Sequence, residues 1–162
     1  MNQVERVQLL HSYKNGFAFL KEALDQLPPD MWKYKPTPNE WSIHEIVIHV
    51  SDTEVQSHVR CRTILAEPDT TIMTHEEYVW SVALNYLQRD VEEALAIISI
   101  MTSANFNLLQ AVSESSWRNC CIYSVRGKLT LDDWLQTYAN HIPQHIGQMQ
   151  RDYEEWLAQK RV

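Results

Sequence analysis

The stretch Leu131–Gln159, LDDWLQTYANHIPQHIGQMQRDYEEWLAQ, decides the fold. Trp134, Tyr138, His141, His145 and Gln148 recur at helical spacing along one row, and Leu135, Ile142, Ile146 and Met149 along the next. Thr130 and Asp133 have the spacing of a helix start, and an Asp in the first turn suits the positive end of the helix dipole. The segment therefore reads as one long amphipathic helix, with two imidazoles on the border of its buried stripe. Pro143 lies between them. It cannot donate to the Ala139 carbonyl and its ring crowds that oxygen, which predicts a bend.

A helix with one apolar face needs partners, and three further segments supply them. Tyr13, Phe17, Leu20, Leu24 and Leu27 paint a stripe on a first helix, about Asn2 to Leu27, which Pro28 and Pro29 stop. A loop follows over 28–41, where Trp32, Tyr34 and Trp41 are expected to pin it to the body of the protein. Ser42 and Glu45 form a capping-box pair at the start of a second helix. It runs to about Ala66 and buries Ile43, Val47, Val50, Ser57, Cys61 and Ile64. A short helix is predicted over 75–81, with Thr74 and Glu77 as its capping pair. A long third helix is predicted over 82–112, with its stripe starting at Leu84 and Leu87 and interrupted by Asn105. Cys121–Val125 and Lys128–Leu129 flank Arg126-Gly127 and suggest a minor hairpin. The architecture implied is all-α, a single four-helix-bundle domain over 1–162 with a long crossover carrying a short extra helix.

Composition agrees. The chain has 162 residues, a length suited to one core, and three glycines, too few for a hairpin-rich β fold. A net charge of −7, without a basic run, argues against nucleic acid as a partner. Nothing approaches the ~18 consecutive apolar residues of a membrane span, and the first residues lack the pattern of a secretory signal. Cys61, Cys120 and Cys121 make a poor disulfide framework, so a cytoplasmic protein with three ordinary thiols is expected.

The chemistry centres on histidine. His141 and His145, four residues apart, can aim at one point. Unpaired imidazoles in a core are costly, and a metal ion provides a partner for their ring nitrogens. His49, in EIVIHVSDTE over 45–54, borders the second helix's stripe and is the candidate third ligand. Spacing alone leaves open a set of hydrogen-bonded core or surface histidines. His44 is expected to be exposed, His58 to face away, His11 to lie on the surface and His75 to stay out of reach of the ion. Gly147 is expected to admit a neighbouring helix closely.

Two motifs carry a family resemblance. One is WSIHEIVIHV, Trp41 to Val50, where a Trp and a helix cap precede a Glu and then a His. The other is YANHIPQHIGQ, Tyr138 to Gln148, with paired histidines followed by Gly-Gln. Together, and in this order, they resemble the DinB/YfiT-like superfamily along nearly the whole chain. The resemblance implies a four-helix fold with a divalent metal, zinc or nickel, on His49, His141 and His145. It also implies a metal-dependent hydrolase acting on a small-molecule substrate; Asp52 and Glu45, about one turn either side of His49, are the candidates for orienting group or general base. An alternative is a transferase of a low-molecular-weight thiol of the bacillithiol, mycothiol or glutathione type, whose carboxylates Arg60, Arg62 or Arg89 would hold. A second alternative is a non-catalytic metal- or ligand-binding homodimer, associating through an apolar patch around Trp80, Trp117 or Trp156.

Overall fold

A computed structural model describes residues 1–124 and 127–160. Four long helices form the body: α1 (Gln3–Asp25), α2 (Ile43–Ala66), α4 (Val91–Leu109) and α5 (Leu131–Lys160), with a short α3 (Glu77–Ala83) in the crossover. The principal neighbours are α1 with α5 and α4, and α2 with α4 and α5, so the four close into a bundle. Three short strands seal one end. β1 (Thr71–Ile72) pairs in parallel with β2 (Cys120–Tyr123), which pairs antiparallel with β3 (Gly127–Thr130).

Local chemistry sets the helix starts. Ser42 accepts from the Glu45 backbone N–H while the Glu45 carboxylate accepts from the Ser42 N–H, a complete capping box. Asn2 and Glu5 build the same box at α1. At α5 the Asp133 carboxylate accepts from the Thr130 N–H and hydroxyl, and Thr130 accepts from the Asp133 N–H. Leu20, Leu24 and Leu27 join Ile43, Ile46, Val47, Val50, Ile98, Ile142 and Met149 in one core cluster. Trp32, Tyr34 and Trp41 pack against it from the 28–41 loop, as their aromatic content predicts.

Several local expectations change. The predicted third helix is broken. Leu84 ends α3, Asn85 takes a left-handed φ of 51°, and Asp90 caps a new helix by accepting from the Glu93 N–H. The Asp cap outweighs a hydrophobic repeat whose first member, Leu84, stays 47% exposed. Thr74 caps nothing, because α3 starts at Glu77 with Glu76 as its N-cap. The hairpin forms as β2 and β3, with Gly127 at a φ of 74°; Val125, the expected end of the first strand, and Arg126, in the expected turn, lie outside the described residues. The close helix approach belongs to Gly16, not Gly147. A Cβ on Gly16 would meet the Ile142 Cδ1 of α5 at 3.2 Å, whereas Gly147 faces only the Arg151 side chain of its own helix.

Trp117 is buried, and Trp80 and Trp156 pack partly buried against the core. Cys61, Cys120 and Cys121 are free and buried, and burial pushes the Cys61 thiol up to about 12, well away from reactivity. Among the described residues no helix is long and apolar enough to cross a membrane.

Candidate metal centre

α2 and α5 face each other where α2 is most deeply buried, from Ile43 to Ser51. His49 points inward there and is 1% exposed. From α5, His141 and His145 point to the same place. Pro143 sits between them on the exposed side, and α5 runs unbroken from Leu131 to Lys160. The His141 Nε2 lies 3.3 Å from the His49 Nε2 and 3.2 Å from the His145 Nε2. One ligand atom from each residue falls within 4.8 Å of the others.

The surroundings fix the rings. The Trp41 indole lies against the His49 imidazole at 4.5 Å between centroids. The His145 Nδ1 meets the Gln148 Oε1 at 3.1 Å. If Nδ1 is the donor there, the lone pair is left on the Nε2 that faces the other two rings. Burial, followed by the positive charges His145, His141 and His75 would carry, pushes His49 down to about 2. Burial and His145 push His141 down to about 3, and burial lowers His145. All three are therefore neutral near pH 7, the state a ligand requires.

The chain does not complete this cluster by itself. The Nδ1 atoms of His49 and His141 are buried without a hydrogen-bond partner among the described residues. If these Nδ1 atoms carry the protons, three Nε2 lone pairs crowd together; if the Nε2 atoms do, buried Nδ1 lone pairs go unmet. A divalent cation would take all three lone pairs at once, and imidazole suits zinc and nickel alike.

The triad opens into a cavity of about 920 Å³. Its wall holds His75, Glu76 and Glu77 from the crossover, Arg60 from α2 and Tyr138 from α5. Glu77 is near enough for its charge to raise the affinity of His145 for a proton. His75 lines the cavity without joining the three clustered histidines, with its ring 4.5 Å from Trp80 and its Nδ1 3.5 Å from an Arg60 nitrogen. Its place depends on the crossover's path, which helical periodicity does not encode.

Neither sequence-predicted carboxylate lines this cavity. Glu45 completes the α2 cap and pairs with Lys35 at 2.9 Å. Burial alone would raise its pKa, but the Ser42 N–H and Lys35 outweigh it and hold the carboxyl below its usual value. Asp52 accepts from the Tyr86 hydroxyl at 2.6 Å beside a second cavity of about 110 Å³. His44, expected at the surface, is 9% exposed with its Nε2 3.0 Å from the Arg89 carbonyl, because the crossover folds over the first turn of α2. His58 meets Arg62 and His11 is exposed.

Fold and site together define a four-helix bundle with a three-histidine candidate metal centre. The DinB superfamily model matches residues 17–149, and the chain belongs to that family. It is 22% identical to "Putative metal-dependent hydrolase YfiT" of Bacillus subtilis over 80% of this chain and 73% of that protein. It is 20% identical to "Putative metal-dependent hydrolase BH0277" of Halalkalibacterium halodurans over 70% of this chain. The match spans only 66% of BH0277's length. The solved structure of Bacillus subtilis YfiT, described as a probable metal-dependent hydrolase with an unusual four-helix bundle topology, superposes with a TM-score of 0.89. That match has 18% identity and covers 96% of this chain and 90% of that one. A mycothiol-dependent maleylpyruvate isomerase superposes with a TM-score of 0.70 and 9% identity, covering 90% of this chain and 62% of that one.

Proposed function

We propose that this chain is a metal-dependent hydrolase in which His49, His141 and His145 hold one divalent cation, zinc or nickel, beside a cavity that receives a small-molecule substrate. The observation that carries this reading is the meeting of three neutral imidazole Nε2 atoms, two of whose rings have no other partner for Nδ1. A divalent ion held there supplies Lewis acidity toward a substrate carbonyl and makes water a better nucleophile near neutral pH.

The chain's own residues do the rest. Trp41 and Gln148 hold His49 and His145 in ligating orientation. Glu77, in the cavity wall, takes the proton from the attacking water on a carboxylate oxygen and returns it to the leaving group. Glu45 fixes the start of α2 one turn before His49, and the Tyr86–Asp52 bond ties the crossover to α2 just after it. Both act as positioning residues.

A second reading, transfer of a low-molecular-weight thiol to an electrophile, draws on the cavity's volume and on the likeness to the mycothiol-dependent isomerase. One experiment separates the two. Metal-loaded protein is offered ester, amide and lactone substrates, and an electrophile with bacillithiol, mycothiol or glutathione. Hydrolysis in water alone is expected, lost in His49→Ala and reduced at least tenfold in Glu77→Gln with metal content unchanged. A rate that requires a thiol would replace hydrolysis with transfer, and no rate in any arm would leave a metal-binding protein without catalysis.

A further inference from the structure

Arg60 is a buried cation in this bundle held by neutral groups. It is 7% exposed, in the last third of α2, and lines the same cavity as the triad. A buried guanidinium is normally held by a carboxylate. Arg6, equally buried, shows the rule, with Asp132 and Glu114 each at 2.9 Å. Among the described residues Arg60 has no carboxylate within salt-bridge distance. The Oε2 of Glu54, on the same helix, is taken by Tyr13 and Ser57, and Glu54 makes no ion pair with Arg60.

What Arg60 does contact is neutral. Nη1 donates to the Tyr138 hydroxyl at 2.8 Å and Nη2 to the Met73 carbonyl at 3.3 Å, while the His75 ring nitrogen stands 3.5 Å from Nη2. The Tyr123 ring lies 5.1 Å from the guanidinium carbon. A guanidinium carries five N–H donors, and the buried Nε–H of Arg60 has no hydrogen-bond partner among the described residues. Neutral contacts orient the group without neutralising it.

Its position relative to the triad is equally specific. Arg60 follows His49 by about three helical turns, so both side chains leave α2 on one face. Tyr138 precedes His141 by about one turn on α5. The guanidinium and the three imidazoles therefore line one cavity about three helical turns apart along α2, with Thr53 between them on that helix and Ile64 one turn beyond Arg60.

We infer that Arg60, steadied by Tyr138, binds the carboxylate of a substrate whose reacting group lies at the triad: the site takes small organic acids. This rests on the hydrolytic reading for what happens at the triad end, but not for the carboxylate end. A carboxylate fits better than a phosphate. Among the described residues one guanidinium and no lysine line the cavity, and the exposed Glu76 and Glu77 in its wall disfavour a dianion.

The test uses the intact chain freed of metal by chelation, so that binding is read without activity. Hexanoate, neutral hexanamide and inorganic phosphate are titrated by calorimetry, and the Arg60 Nε–H resonance is followed by NMR in the unaltered protein. Hexanoate is expected to bind at least tenfold more tightly than hexanamide and to shift the Arg60 Nε–H signal. Arg60→Gln should erase the difference, Arg60→Lys should keep part of it, and Tyr138→Phe should weaken it. His141→Ala should lose metal uptake yet keep hexanoate binding, so failure at one end of the site is distinguishable from failure at the other. Equal affinity for hexanoate and hexanamide, an unmoved Nε–H signal, or tighter binding of phosphate would overturn the assignment. The NMR arm decides even if the Arg60 variants fail to fold.

Discussion

Midway along the bundle, Tyr13, Glu54, Ser57 and Asn105 make a buried polar cluster; about a turn and a half nearer the start of α2, His49, His141 and His145 make another. The first is closed almost entirely by the chain. The Glu54 carboxyl accepts from the Tyr13 hydroxyl at 2.7 Å and from the Ser57 hydroxyl at 3.0 Å. Asn105 donates to Tyr13 at 2.9 Å and to Ser57 at 3.1 Å, and accepts from Arg62 at 2.8 Å. Among the described residues one oxygen of this cluster, the Glu54 Oε1, is left without a partner. The histidine cluster turns its nitrogens toward one another instead and opens into a cavity. A satisfied network holds a fold together, whereas an unsatisfied one at a cavity marks a place for something from outside.

Changing the closed network should alter stability and leave metal binding alone. The largest effect is expected at Glu54. Burial is the main cause that pushes its carboxyl up to about 7, so the folded state holds a proton that the unfolded chain releases near pH 4.5. The folded pKa lies above the unfolded one. The stabilisation is therefore complete below about 4.5 and is lost as pH rises through about 7. Glu54→Gln removes the titration, and its stability relative to the parent should rise by roughly 2–3 kcal/mol between pH 4.5 and 8. Denaturant melts at several pH values check this, and a pH-independent difference would show that Glu54 does not titrate there.

Tyr13→Phe should cost less, about 1–2 kcal/mol, because Asn105 keeps Ser57 and Glu54 keeps the Ser57 hydroxyl when the phenol is removed. Its metal uptake should match the parent's. A loss of uptake would mean that the two clusters are one unit and that the distinction between them fails.

The same contrast explains what could be read before the fold was known. The α2 capping box, the α5 start and the pairing of His141 with His145 depend on residues within one helical turn, and each is legible in the letters. His49 was legible as a candidate through its border position and the family motif, though its facing α5 is a tertiary fact. The break before α4 was missed because a hydrophobic repeat ran through it, while Asn85 and Asp90 favoured a turn and a new cap. Asn105 read as an interruption of a stripe; it is instead the hub of a network spanning α1, α2 and α4. His75 and the carboxylates in the cavity wall arrive on the crossover, whose course is set by packing against Trp80 and Arg60 and not by any local pattern.

The most direct measurement is a calorimetric titration of the chelator-stripped protein with zinc or nickel, alongside His141→Ala and Tyr13→Phe. Uptake should saturate at one ion per chain in the parent and in Tyr13→Phe and be abolished in His141→Ala. Absence of saturable uptake in the parent, or equal uptake by His141→Ala, would contradict a metal centre built on these three histidines.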